Sequence, residues 1–303
     1  MCGLAGILYK RGGTGRHSPT GHALLDMLDG CQHRGPDSTG FALYGEPVDD
    51  QLRARFFVGT GAQPASATTK VKDVLARHAA TIIEDEMIGN NYRVIVNFTG
   101  DIQKLSYDAE KVAKVISIGK SLEILKDIGT AHEVDDIYHV QSFCGTHRLG
   151  HVRLATESDV CPAAAHPFWA TGFADIAIVH NGQITNYRKM RRRLEQRDFE
   201  FNTNNDSELI AAYLADKLQQ KIRLENALET SIDNLDGTFS FLVSTKTEID
   251  YAKDRLAMKP MVMFENDDMV AIASEEVSLN KLFPGQALST MEPAPGTFQT
   301  WHR

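Results

Sequence analysis

The chain turns apolar at its second residue. The run "CGLAGILY", residues 2–9, carries no charge and places apolar side chains at both odd and even positions. A run this short, followed by a Gly-rich stretch, reads as a strand. Because it is apolar on both parities, the sheet it joins must be covered on both faces. The run also sets a chemical question, because it opens on a cysteine where chain termini usually fray. Either Cys2 is a small apolar residue that begins a strand, or its position matters. Removal of Met1 would leave one residue carrying both a thiol and a free α-amine.

Bulk properties narrow the field. A length of 303 residues allows one large domain or two small ones with a substantial core. Hydrophobic residues at 42% and charged residues at 24% are ordinary for a soluble globular chain. A formal charge of −8 argues against a general nucleic-acid binder. No apolar run approaches the about 18 residues of a membrane span, and the N-terminus lacks a basic-then-apolar leader. The four cysteines, Cys2, Cys31, Cys144 and Cys161, are widely spaced with no CxxC pair. Neither a disulfide framework nor a zinc site is expected, and a reducing cytoplasm fits.

Past the Gly-rich loop, "HALLDMLDGCQHRG" reads as an amphipathic helix and "TGFALYG" as a second strand. From Glu46 to about Gln141 the texture changes. "RARFFVG" reads as a strand, "KVKDVLARHAATII" as a helix and "YRVIVNF" as a strand. "DAEKVAKVISIGKSLEILKDIG" reads as one or two helices, and "IYHVQ" as a closing strand. The alternation predicts a compact α+β unit inserted into another domain, without a cluster of catalytic residue types. Beyond it, the apolar strand "DIAIVH" runs into the turn-like "NGQI". "NYRKMRRRLEQR" is a helix with a solvated basic face and with Tyr187, Met190 and Leu194 turned inward. "NNDSELIAAYLADKLQ" opens on a helix-start signal. "GTFSFLVST", "IDYAKDR", "PMVMFEN" and "MVAIASE" read as successive strands of an antiparallel sheet.

Six short motifs occur in one order: Cys2-Gly3, "HRGPDSTG" (33–40), "GHVRLAT" (150–156), "AHPF" (165–168), "HNGQITNY" (180–187) and "NNDSE" (204–208). Together they resemble the class II glutamine amidotransferases, whose glutaminase domain is an N-terminal-nucleophile hydrolase. The resemblance covers residues 2–44 and 146 to about 280. It implies an α+β fold, an αββα sandwich of two stacked, mainly antiparallel sheets, over residues 2–45 and 142–303. Residues 46–141 would be the inserted unit, a candidate subunit-docking module.

The resemblance also assigns roles. Hydrolysis of a side-chain amide needs a nucleophile, a base, oxyanion donors and a grip on the amino-acid head. Cys2 supplies the thiol. Its α-amine, with an ordinary pKa of about 7.7–8 against about 10.4 for lysine, is partly neutral at physiological pH and acts as base through a water. Attack gives a tetrahedral oxyanion, then ammonia and a γ-glutamyl thioester that water hydrolyses. The Asn181 side chain and the Gly182 backbone N–H form the oxyanion hole. Arg153 takes the α-carboxylate with Thr156 beside it, and Asp206 takes the α-ammonium. His151 and His180 lie in matched motifs on the substrate side, while Arg34 and Asp37 support the site. The chain departs from the family pattern at Ala257, where "KDRLAMKPM" has alanine for a common glycine, and at the asparagine before Asp206.

Fused members of this class carry an ammonia-accepting domain after the glutaminase. Here the glutaminase fold is expected to use nearly everything to about residue 280, leaving about twenty residues and no P-loop. A separate synthase subunit is therefore the expected partner, which makes a hetero-oligomer. The architecture resembles the stand-alone amidotransferase subunits of glutamate-synthase-like complexes, N-methylglutamate synthase among them. FMN and an iron–sulfur cluster would then belong to the partner, since this chain offers no ligand pattern for either. Two other readings stay open: an N-terminal-nucleophile hydrolase of another amide, and a non-catalytic regulatory subunit. The Arg153 and Asp206 pair argues against the first, the complete motif set against the second.

Overall fold

The structure is a computed structural model that describes residues 2–10, 20–48, 50–59, 63–155 and 160–303. The opening apolar run forms β1 (Gly3–Tyr9), an interior strand of a six-stranded sheet. On one side it pairs with β8 (His147–Arg153), beyond which lie β2 (Ser38–Tyr44) and β7 (Leu122–Ile128). On the other side come β14 (Met269–Ala273) and β13 (Val262–Glu265). Every pairing is antiparallel. The double-parity pattern is used in full: Leu4 and Leu8 enter one core, Ala5 and Ile7 another.

The second sheet has five strands in the order β15 (Phe298–His302), β12 (Glu248–Lys253), β11 (Gly237–Ser244), β10 (Ala177–Ile184) and β9 (Phe168–Trp169), also antiparallel. It stacks on the first sheet, and Leu4, Leu149, Val179 and Leu242 meet between them. Helices α1 (Thr20–Gly30), α4 (Ala131–Tyr138) and α8 (Glu276–Asn280) cover the outer face of the six-stranded sheet. Helices α5 (Tyr187–Glu195), α6 (Asp206–Gln219) and α7 (Leu224–Asn234) cover the five-stranded one. This is the expected αββα sandwich. A polar tie crosses its middle: Tyr44 donates to the Ser244 carbonyl at 2.8 Å, and His147 stacks on Tyr44 with Nε2 2.5 Å from the Thr245 carbonyl. Burial pushes His147 down to about 4.

The small unit comprises β3 (Gln51–Phe57), α2 (Gln63–Arg77), β4 (Thr81–Ile88), β5 (Asn91–Asn97), α3 (Ile102–Glu110) and β6 (Lys114–Gly119), with strand order β4-β5-β3-β6. Three sequence expectations fail in and beside it. The helix expected over residues 70–83 stops at Arg77. Ala79 then turns left-handed at φ 57°, and the β-branched "TII" begins β4. The segment read as helical over residues 108–129 is helical only to Glu110 and continues as β6 and β7. Its Val115, Ile116, Ile118 and Gly119 are poor helix residues, and the pleated surface gives their side chains better packing. "IYHVQ" is not a strand but the end of α4 and a 3₁₀ turn, because the Thr130–Glu133 capping box starts a helix whose buried face carries Val134 and Tyr138.

Sheet pairing also moves the expected domain boundaries. β7 belongs to the main sheet with Tyr44 opposite Leu122, so the inserted unit ends near Lys120 rather than at Gln141. Asp175 Oδ1 accepts the N–H groups of Ser121 and Leu122 at 2.7 and 2.8 Å and holds this neck in place. At the other end, the residues left over past about residue 280 supply β15, the edge strand of the five-stranded sheet. The expected Gly-rich loop falls largely outside the described residues.

Candidate active site

A cavity of about 710 Å³ opens where β1 begins and β8 and β10 end, beside the N-terminus of α6. Cys2, Arg34, Arg153, His180, Asn181, Gly182 and Asp206 all line it. The motifs lie up to about 200 residues apart in sequence, and the sandwich gathers them at one mouth. Thr156, the remaining substrate-side expectation of that motif, lies outside the described residues.

Cys2 is half-buried just before β1. Its Sγ accepts the Leu154 N–H at 3.4 Å and lies 3.6 Å from the Leu154 carbonyl. Its own carbonyl accepts from Arg34 Nε at 2.9 Å and from Asn181 Nδ2 at 3.2 Å. Arg34 is buried and paired with Glu275, whose other carboxylate oxygen meets His33 at 3.1 Å. The nucleophile candidate is thus held through its carbonyl by two donors, Arg34 and Asn181.

Asn181 and Gly182 correct one expectation. They are not a turn but the interior of β10, opposite Ser240 and Phe239. The ladder fixes where the Gly182 N–H points. Ile184 N–H donates to Asp206 Oδ2 at 3.0 Å, and Phe239 N–H donates to Asp254 Oδ2 at 2.9 Å, so neither bonds across the β10–β11 pair. Alternation makes Gly182–Phe239 a non-hydrogen-bonded pair, with the Gly182 N–H aimed away from β11. β9, only two residues long, has already ended on that edge. Gly182 sits at φ 149°, and a Cβ there would lie 2.1 Å from the Thr238 carbonyl. The glycine is needed for that conformation and close approach. The Asn181 carboxamide bridges the two sheets: Nδ2 donates to Cys2 O and to Ser274 Oγ at 3.0 Å, and Oδ1 meets His151 Nε2 at 3.1 Å.

Asp206 opens α6, with Asn205 as the helix cap accepting the Ser207 N–H at 2.9 Å. Its Oδ2 takes the Ile184 N–H, and its Oδ1 stands 3.5 Å from His180 Nδ1. Burial alone would raise its carboxyl, but His180 and these donors hold it below the ordinary carboxylate range. Arg153 ends β8 and is buried. Asp37 shapes the chain around it, donating its N–H to the Arg153 carbonyl at 3.0 Å and accepting the Ala155 N–H at 2.7 Å. An arginine and an ionised aspartate sharing one cavity match the zwitterionic head of a free amino acid.

Three histidines cluster at the cavity wall, His166 and His180 lining it and His151 behind them. His166 Nε2 and His180 Nδ1 both reach Ser207 Oγ, at 2.5 and 3.0 Å, and His151 stacks on His166 with ring centroids 4.0 Å apart. Burial pushes His151 down to about 3 and His166 well below the imidazole range. Lys126, fully enclosed in β7, donates to the carbonyls of Ala165 and Pro167 at 2.8 and 3.1 Å and so grips both sides of His166; burial pushes its ammonium down to about 7. Sequence reasoning missed Ser207, Lys126, Ser274 and Glu275 as site-supporting residues. A lone lysine inside the apolar "LEILKDI" was a legible signal. In the "ASEE" stretch after β14, Ser274 and Glu275 brace Asn181 and Arg34. Ala257 adopts φ 50°, which explains why glycine suits that position.

Among the described residues, no group of three or more His, Cys, Asp and Glu side chains could hold a metal ion, and no helix is long and apolar enough to cross a membrane.

Comparison with known proteins gives the family. Residues 151–281 match the family model of the glutamine amidotransferase domain. A Methanothermobacter thermautotrophicus protein whose name places it among the glutamine amidotransferases is 40% identical over 97% of this chain and 97% of its own length. The glutamine amidotransferase-like protein GlxB of Rhizobium meliloti is 33% identical over 99% of this chain and 98% of its own. In fold, the chain is similar to the glutamine phosphoribosylpyrophosphate amidotransferase of B. subtilis, with TM-score 0.62, 19% identity and coverage of 99% of this chain; it spans 47% of that longer protein. Fold, cavity and relatives converge: the chain belongs to the class II glutamine amidotransferases and is an enzyme of that family.

Proposed function

We propose that Cys2, freed by removal of Met1, attacks the side-chain amide of L-glutamine and forms a γ-glutamyl thioester. The observation that carries this reading is the convergence of Cys2, Arg153, Asn181, Gly182 and Asp206 on one cavity. Arg153 and Asp206 grip the α-carboxylate and α-ammonium. The Asn181 carboxamide, on exchanging one of its two present acceptors (Cys2 O or Ser274 Oγ) for the substrate oxygen, and the outward Gly182 N–H receive the oxyanion. Loss of one such donor typically costs on the order of 10²–10³ in rate. The α-amine of Cys2 takes the thiol proton through a water and returns it to the departing ammonia. Water then hydrolyses the thioester to glutamate. Intact mass and labelling test this: the purified protein is expected to lack Met1 and to gain one adduct of 6-diazo-5-oxo-norleucine on Cys2. Retained Met1 with no adduct would sink the mechanism.

The finer reading is that a separate synthase subunit receives the ammonia, in a cytoplasmic hetero-oligomer of the glutamate-synthase-like type, such as N-methylglutamate synthase. Two relatives of nearly this length, matched end to end, support a glutaminase made without a fused acceptor. FMN and an iron–sulfur cluster would sit in that partner.

A further inference from the structure

We infer that His151 is a positioning residue: as a neutral imidazole protonated on Nε2, it locks the Asn181 carboxamide in the one orientation that turns its NH₂ toward Cys2. The argument starts from two groups that can only accept. The His180 carbonyl lies 3.2 Å from His151 Nε2, so that nitrogen must carry a proton. Asn181 Oδ1 lies 3.1 Å from the same nitrogen and must therefore be the oxygen end of the amide. The NH₂ end then faces the Cys2 carbonyl, the second obligate acceptor, and Ser274 Oγ, which already accepts the Leu4 N–H at 3.0 Å. Reversing the amide would set oxygen against the Cys2 carbonyl and nitrogen against a protonated nitrogen. Both contacts are repulsive.

The surroundings keep the ring in this state. His151 is fully enclosed, its face is covered by His166, and among the described residues its Nδ1 meets no partner that would compete for the proton. Ser207 bridges His166 to His180 behind it and closes the cluster. His151 therefore acts through Asn181 and touches neither the nucleophile nor the amino-acid head.

The catalytic consequence rests on the glutaminase reading above; the ring state does not. Two variants and one spectrum decide. Glutamine places its NH₂ where Nε2 stands, whereas asparagine places it where Nδ1 stands. In glutamine hydrolysis by the full chain, His151→Asn is expected to lower kcat on the order of 10²-fold with KM little changed. His151→Gln is expected to recover most of that loss, thermal unfolding confirming that both variants fold. The ring ¹⁵N shifts of His151 in the unmodified protein are expected to be those of a neutral Nε2–H tautomer. An Nδ1–H tautomer, or equal losses in the two variants, overturns the proposal. If the unmodified protein neither releases ammonia from glutamine nor labels at Cys2, the glutaminase reading falls, and the tautomer still decides the state of His151.

Discussion

His147, His151 and His166 are held neutral because burial disfavours the imidazolium, with His147 pushed to about 4 and His151 to about 3. Unfolding returns each to an imidazole that takes up a proton below about pH 6.5. Between that value and the native ones, the unfolded chain binds more protons. Stability must therefore fall as pH falls, by about 1 kcal/mol per pH unit for each histidine. Asp206 works in another window: its carboxyl is depressed in the fold, so its contribution persists until pH drops below about 4. Urea midpoints at pH 7, 6 and 5 should decline progressively, and a flat series would contradict the neutral cluster. At this scale the sequence was most legible, since Cys2, Arg153, Asn181, Gly182 and Asp206 stand in short motifs and all line one cavity. Ser274 was not. Its role depends on the β1–β14 register that brings it beside Leu4, and no local pattern records a register 270 residues long.

Among the elements, β1, β2 and β11 to β14 could be read from their apolar runs, whereas residues 108–141 could not. Short apolar segments fit either period, and tertiary partners decide between them. "LEILKDI" becomes a strand because β2 offers it an open edge, and α4 forms because Thr130 and Glu133 satisfy each other's backbone N–H groups. This second cause can be measured. Thr130→Ala should cost about 1 kcal/mol in chemical denaturation, leaving the glutaminase cavity untouched. No change in midpoint would show that packing of Val134 and Tyr138 alone holds α4.

Across the whole molecule, Trp301 joins the last residues of the chain to both sheets. It is buried, packs on Tyr251 at 5.9 Å, and donates Nε1–H to Glu265 Oε2 at 3.0 Å, so β15 is tied to β13 of the other sheet. Trp301→Ala should cost about 3–5 kcal/mol, read as a lower urea midpoint monitored by circular dichroism. A loss below about 1 kcal/mol would mean that β15 is dispensable to the sandwich.

The Tyr44–Leu122 pairing has a wider consequence. Departure and return of the chain face each other across one rung of the sheet, and the next rung, Gly45 N–H to the Ser121 carbonyl, is still formed at 3.0 Å. The small unit is therefore a cassette seated in a hairpin loop. Lengthening or shortening such a loop changes its closure entropy only slowly, by about 0.6 kcal/mol per doubling. Closure entropy alone would let the cassette grow or shrink. Its Arg55 and Arg93, however, pair with Glu123 of β7, and its core is continuous with that between the sheets. The surface free to diversify at a different pace from the catalytic mouth is therefore the one it turns away from the sandwich.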